Sequence, residues 1–400
     1  MQLVSWFRTA VSRAVISRTA ISRTVVSRTA ISLAVGGALM SACGPAAETP
    51  DDGQGTGGTG LPGVGGTGGD PGTSTGGALG GQTSQSGGAA GCSGPTPGTQ
   101  GQNPLIPSLF TADPAALVHD CTFYITAGRD QGTTGFDLRE WYVLSSTDLV
   151  NWSDNGGPVM GLDTFEWASA NAWAGQMVER NGKFYWYVPV NEAGGGMAIG
   201  VAVADSPLGP FVDAIGEPLV NDAIEMEEFG YSDAGQTAYT IDPTVFVDDD
   251  GQAYLLYGGF WRLVIVPLAE DMVSFSGEMF ERTPPGFFEA PYLTKRNGTY
   301  YLAYAAGSNP ATIDYVTATS PTGPWQNRGR ILDVLPKLEG QDEPTSHPAI
   351  AEFQGEWYLV YHVSNGPGGG TYRRQVAMDK LTFAADGSIE KVSPSGGLSF

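Results

Sequence analysis

The sequence predicts an all-β protein, a five-bladed β-propeller preceded by a signal peptide and a disordered Gly-rich linker. Three observations predict it: a hairpin pattern that recurs five times beyond residue 103, the near absence of helical periodicity over the same span, and a glycine surplus densest over residues 44–102.

The five copies open at Asp113, Trp173, Asp242, Glu289 and His347. Each is an apolar strand, a turn and a second strand rich in Tyr and β-branched residues, such as Phe184-Tyr185-Trp186-Tyr187 or Tyr254-Leu255-Leu256-Tyr257. Asn181-Gly182, Asp250-Gly251 and Asn297-Gly298 are tight-hairpin dipeptides, because Asn, Asp and Gly accept positive φ. The spacing between copies leaves room for two more strands in each, and five four-stranded units arranged radially make a propeller. Inner strands of a propeller line its central channel, so the residue opening each copy can face one shared pocket. Three carboxylates, a histidine and a tryptophan are not the composition of a hydrophobic core.

Residues 1–42 carry five arginines at a five-residue period and no acid, then an apolar stretch from Ile31 to Ala42. Twelve residues are too few to span a bilayer and read as a signal-peptide core. Leu39-Met40-Ser41-Ala42-Cys43 resembles a bacterial lipoprotein box, which implies lipidation at Cys43 and export to a cell surface, or to the periplasm or medium. Residues 43–102 follow as a flexible linker, since 22 glycines and few bulky side chains cannot bury enough surface to offset ordering. Export permits a disulfide between Cys92 and Cys121, and an unpaired buried Cys121 is the alternative. The expected domains are therefore 1–42, 43–102 and a propeller over 103–400.

The whole chain has a formal charge of -22, and residues 103–400 alone hold 38 acids against 15 basic residues. That balance excludes nucleic acid as partner, for lack of the clustered Lys and Arg that release counterions. It suits a neutral polysaccharide or oligosaccharide, with the membrane reached only through the lipid anchor, and a monomer is expected. No CxxC or HExxH occurs, so structural zinc is not expected.

Two carboxylates flanking a glycosidic bond are the equipment of sugar hydrolysis, one ionised to activate water and one protonated to donate to the leaving oxygen. Asp113-Pro114, Asp242-Pro243 with Thr244-Val245-Phe246, and Phe288-Glu289-Ala290-Pro291 resemble the three acidic motifs of glycoside hydrolase family 43. Asn171-Ala172-Trp173-Ala174 and Tyr372-Arg373-Arg374-Gln375-Val376 extend the resemblance across most of 103–400; Thr111-Ala112 before the first acid depart from it. The resemblance implies Asp113 as general base, Glu289 as general acid and Asp242 as the residue that tunes and orients the acid. It implies inversion at the anomeric carbon, with room for a water between base and acid, on the order of 6.5–9.5 Å. It also implies substrate contacts from Trp173, His347 and Arg374, with Arg373 as the competing arginine. No cofactor is required, although the family's channel histidine, matched by His347, stands beside a water-surrounded calcium. Residues 198–211 and 268–275 look closest to α-L-arabinofuranosidases and β-xylosidases, and leave the choice of pentose, and of exo or endo action, open. The alternative is a glycan-binding propeller without turnover.

Overall fold

The computed structural model describes residues 94–132, 134–229 and 240–400. The expected leader, Cys43, Cys92 and most of the expected linker lie outside them. Cys121 is disulfide-bonded.

Five antiparallel sheets follow in chain order. The first holds β1 (Thr111–His119), β2 (Thr122–Arg129), β3 (Glu140–Ser146) and β4 (Met160–Gly161). The second holds β5 (Ala168–Ala170), β6 (Gln176–Arg180), β7 (Lys183–Glu192), β8 (Met197–Ala204) and β9 (Val212–Asp213), with β5 and β6 both paired to β7 as one interrupted inner strand. After helix α1 (Asp222–Phe229) come β10 (Thr244–Val247), β11 (Ala253–Tyr257), β12 (Val264–Leu268) and β13 (Phe280–Glu281). The fourth sheet is β14 (Phe287–Arg296), β15 (Thr299–Ala306), β16 (Thr312–Ala318) and β17 (Gln326–Leu332). The fifth has three strands, β18 (Ala349–Phe353), β19 (Glu356–Val363) and β20 (Gln375–Leu381), where four were expected.

Another part of the chain completes that fifth blade. The Leu105 N–H donates to the Val376 carbonyl, and the Asn103 side chain both donates to and accepts from the Met378 backbone. Gly98, Gly101 and Asn103 donate to the carbonyls of Phe400, Leu398 and Gly396. Residues 98–102, which composition assigns to the linker, thus belong to the fold, because they satisfy backbone groups of the C-terminal segment.

Turn chemistry follows the sequence in part. Asn181-Gly182 and Asn297-Gly298 close two-residue hairpins with positive φ at both positions. Asp250-Gly251 instead lies in a five-residue loop, as Val247 pairs with Ala253. Asp120-Cys121 and Gln354-Gly355 take the same left-handed two-residue turn without a telltale dipeptide.

The blades are held by apolar side chains sandwiched between adjacent sheets. Phe123 and Ile125 of the first blade pack with Phe353, Tyr358 and Leu359 of the fifth. Trp141 and Val143 meet Trp186 and Val188 of the second, and Phe246 and Leu256 meet Leu302 and Tyr304 across the third and fourth. Burial of each such side chain is worth about 1.5–3 kcal/mol, so closure of the ring is driven by these interfaces.

Candidate active site

The acids sit where three inner strands are broken in the same way. In β1 the pairing steps from Ala112 opposite Gly128 to Ala115 opposite Thr126, so three residues are spanned by two. In β14 it steps from Glu289 opposite Ala305 to Tyr292 opposite Ala303. Ahead of β10, the Ile241 carbonyl accepts from Gly258 and Thr244 pairs with Leu256. Each break is a β-bulge with a left-handed residue before a proline: Asp113 (φ 55°), Asp242 (φ 53°) and Ala290 (φ 59°). A left-handed non-glycine residue costs on the order of 1–3 kcal/mol and persists where its surroundings enforce it.

This register corrects one expectation. Asp113 and Asp242 are equivalent, whereas Glu289 stands one residue earlier, in the place of Ala112 and Ile241. The left-handed place in the fourth blade belongs to Ala290. The one-residue offset was hidden because Glu289 and the two aspartates all precede a short apolar run.

Two of the bulges free a backbone N–H that a side chain takes up. The Asp113 N–H donates to His362 Nδ1 at 3.2 Å, and the Ala290 N–H donates to Asp242 Oδ2 at 2.9 Å. His362 Nε2 lies 2.9 Å from Thr345 Oγ1. His362 is 1% exposed, and burial lowers its pKa to about 3. A neutral ring accepting at Nδ1 carries its proton on Nε2, directed at Thr345.

Arg374 fixes Asp113. Its Nη1 lies 2.8 Å from Asp113 Oδ1, while its Nε and Nη2 form a fork on Asp130, at 3.0 and 2.9 Å. Its guanidinium lies 4.8 Å from the Phe136 ring. Arg373 lies over Phe110 instead, so Arg374 is the arginine of the site. His347 Nδ1 is 4.0 Å from Asp113 Oδ1, and burial lowers its pKa to about 4.

These neighbours split the carboxylates. Burial favours the neutral form of Asp113, but the charge and hydrogen bond of Arg374 hold the pKa below the ordinary value. Glu289 is pushed up to about 8, first by burial and then by the negative charge of Asp113, against a smaller opposing pull from Arg374. Asp242 is raised well above the ordinary range by burial and by the charges of Glu289 and Asp113. At neutral pH the pocket therefore holds one ionised carboxylate, Asp113, facing a protonated Glu289. Two titratable groups whose pKa values are pushed apart are the signature of an acid and base pair.

Residues 101–389 match Glycosyl hydrolases family 43. The chain belongs to this family. It is a glycosidase, and the five-bladed all-β architecture agrees with that membership. It is 35% identical over 338 residues to an arabinoxylan arabinofuranohydrolase of Bacillus subtilis (strain 168), covering 73% of this chain and 64% of that protein. It is 30% identical to xylosidase/arabinosidase 43A of Humicola insolens, over 73% of this chain and 99% of that one. Among solved structures it is similar to CoXyl43, a β-xylosidase/α-arabinofuranosidase from a compost microbial metagenome in complex with xylotriose. That likeness has a TM-score of 0.63 and 32% identity, over 74% of this chain and 98% of that one.

Of the residues expected in this family-43 site, Asp113, Asp242, Glu289, His347 and Arg374 converge. Trp173 is half-buried; its Nε1 donates to the Phe136 carbonyl and its ring packs with Met197, Ile241 and Phe260. It forms part of the wall beside Asp242. His362 and Asp130 were not anticipated. The available signal was a polar residue set inside an apolar strand, Tyr361-His362-Val363, or a charged pair closing one, Arg129-Asp130.

A calcium ion prefers six to eight oxygen ligands. Among the described residues no group of three or more His, Cys, Asp or Glu side chains could hold a metal. Beside His347 the nearest carboxylate is already paired with Arg374. These residues do not fit an all-protein calcium cage, and no step below runs through a metal.

Proposed function

We propose that the propeller removes α-L-arabinofuranosyl or β-D-xylosyl residues from plant hemicellulose or arabinan by single-displacement, inverting hydrolysis. The observation that carries this reading is the coexistence, in one buried pocket at neutral pH, of ionised Asp113 and protonated Glu289. The arginine and both imidazoles approach Asp113 at Oδ1, which assigns Oδ2 to the water. Asp113 takes a proton from that water as its oxygen attacks the anomeric carbon. The bond from that carbon to the leaving oxygen breaks, and Glu289 delivers its proton to that oxygen. Asp242 holds the Glu289 strand from behind, by accepting the N–H of Ala290. Holding the reactants in line contributes further acceleration.

The names of the relatives, which join arabinose and xylose, support a pentose at the cleaved position. The test is pentose release from arabinoxylan, arabinan and xylo-oligosaccharides, with the first-formed anomer read by proton NMR. Release of a sugar with retained configuration, or no release from any of the three, would overturn the proposal. Export as a surface lipoprotein, with lipid on Cys43 and residues 44–93 as tether, is supported by the leader sequence. A Cys43→Ser protein that stayed in the membrane fraction would refute it.

A further inference from the structure

Trp261 is 57% exposed and lies within the β11–β12 connection, beside the acid-bearing strand. Its backbone N–H donates to the Phe288 carbonyl at 3.0 Å and its Nε1 donates to the Gly307 carbonyl at 2.9 Å. Both anchors belong to the fourth blade, one on the residue immediately before Glu289 and the other just past the end of β15. The ring contacts Phe288 at 5.3 Å and Phe260 at 6.2 Å, and Phe260 contacts Phe288 at 5.5 Å. Phe260 in turn packs with Ile241, the residue before Asp242. The three rings therefore form one wall spanning the two strands that bring Asp242 and Glu289 into the pocket.

This wall is held under strain. Phe260 (φ 49°) and Trp261 (φ 70°) are consecutive bulky residues in the left-handed region, where aromatic side chains are outliers. The next residue, Arg262, is locked by a buried ion pair with Glu225 of α1 at 3.0 Å and by Glu281 at 2.7 Å. The fold thus spends backbone strain to hold a tryptophan in solvent with its single donor already satisfied. A structural role does not require the exposure, and an indole whose N–H is committed offers its π-face to a ligand.

We propose that Trp261, backed by Phe260 and Phe288, is the stacking platform for the sugar ring on the leaving-group side of the scissile bond. The inference rests on Glu289 being the general acid. The group that protonates the leaving oxygen must stand on the leaving-group side, and Trp261 is fixed to the residue preceding it. The apolar face of a pyranose or furanose fits an exposed indole that makes no further polar demand. The ligand is the next sugar of a neutral chain, so this site favours oligosaccharides over simple glycosides.

The test compares the full-length protein and two variants on an oligosaccharide that the wild type cleaves and on the glycosyl fluoride of the same pentose, which has no leaving-group sugar. The quantity read is the ratio of kcat/KM for oligosaccharide to that for fluoride. Trp261→Ala should lower the ratio about 10- to 100-fold, through energy that remote binding contributes to the transition state. Trp261→Phe should hold it within about fivefold of wild type, as a smaller ring still stacks. If Trp261→Ala is too unstable to purify, Trp261→Leu serves in its place with the same expected direction. A ratio unchanged within threefold in the Ala or Leu variant overturns the platform. So does an equal loss on both substrates, which would mean general damage to the pocket. A wild type that hydrolyses neither substrate overturns the glycosidase reading itself, and is distinguished by the absence of any activity to compare.

Discussion

Replacing Glu289 by Gln removes a proton donor and an unfavourable burial in one step, and the two effects have opposite signs. The carboxyl is pushed up to about 8 from an ordinary value of 4.5, a difference of 3.5. At 1.36 kcal/mol per unit, ionising it in the fold costs about 5 kcal/mol more than in water. At pH 7 the folded protein keeps that proton while the unfolded chain releases it. The unfolded state is favoured by the gap between pH 7 and 4.5, an upper bound of about 3 kcal/mol. Below pH 4 both states hold the proton and the penalty vanishes; it grows as pH rises and levels off above 8. Glutamine cannot ionise, so Glu289→Gln should match the wild type in stability near pH 4 and exceed it by about 1–3 kcal/mol at pH 7. For a domain of this size that is roughly 2–6 °C in melting temperature. The same variant should lose about 10²- to 10⁴-fold in kcat on natural glycosides, where the leaving oxygen must be protonated. It should lose far less on a dinitrophenyl glycoside, whose leaving group departs as an anion. Wild-type kcat/KM should fall above pH 8, and the variant should lack that limb. Scanning calorimetry at pH 4, 5.5 and 7, with pH–rate profiles on both substrate types, checks this. A stability difference independent of pH, or a basic limb that survives in the variant, would refute the assignment of the raised pKa to Glu289.

The remaining predictions concern the base and its supports. Asp113→Asn should lower kcat by at least about 10³-fold on every substrate, activated leaving groups included, since water activation is lost whatever the aglycone; initial-rate assays check it. Arg374→Met should cost about 3–5 kcal/mol of stability by leaving buried Asp130 unpaired, read by denaturant titration. Because Arg374 lowers the Asp113 pKa, its removal should move the acid limb of the remaining activity to higher pH. His362→Asn, which keeps an acceptor near the Nδ1 position, should retain several-fold more kcat than His362→Ala, with KM little changed in both. Equal kcat in the two variants would mean that the Asp113 N–H does not need that partner.

What the sequence made legible follows from period and chemistry. Alternation of apolar and aromatic residues at a regular offset marks a hairpin wherever it falls, so Tyr254 to Tyr257 or Trp357 to Tyr361 announced a strand without any help from tertiary structure. The acids were legible because a carboxylate opening a buried strand has no core role. Helix α1 and the completion of the fifth blade were hidden. The helix is held by Glu225 through Tyr257 and Arg262, partners 32 and 37 residues away, with Ile224 and Phe229 resting on the core beside them. The completing segment around Asn103 and Leu105 pairs with β20 some 270 residues later, and no local pattern encodes such a closure. His362 and Asp130 were missed for the same reason: each is a single polar side chain whose meaning depends on Asp113 or Arg374 arriving from the far end of the chain.

The bulges give the site its asymmetry. Three inner strands share one device, a left-handed residue before a proline, yet the chain fills it differently each time. In the first and third blades the left-handed residue is the aspartate itself. In the fourth it is Ala290, and the carboxylate stands one step earlier on a longer side chain. The N–H thrown out of the ladder at Ala290 is taken by Asp242, and the one at Asp113 by His362, so each strained backbone is fixed by a neighbour's polar group. Asp242 and His362 are thus counterparts, one behind Glu289 and one behind Asp113. The difference lies in charge. Arg374 touches Asp113 and favours its ionisation, whereas Glu289 is opposed first by burial and then by the charge of Asp113, with only a smaller pull from Arg374. The two sides are built on a common backbone plan, and the contact of Arg374 with one carboxyl and the burial of the other decide which keeps its proton.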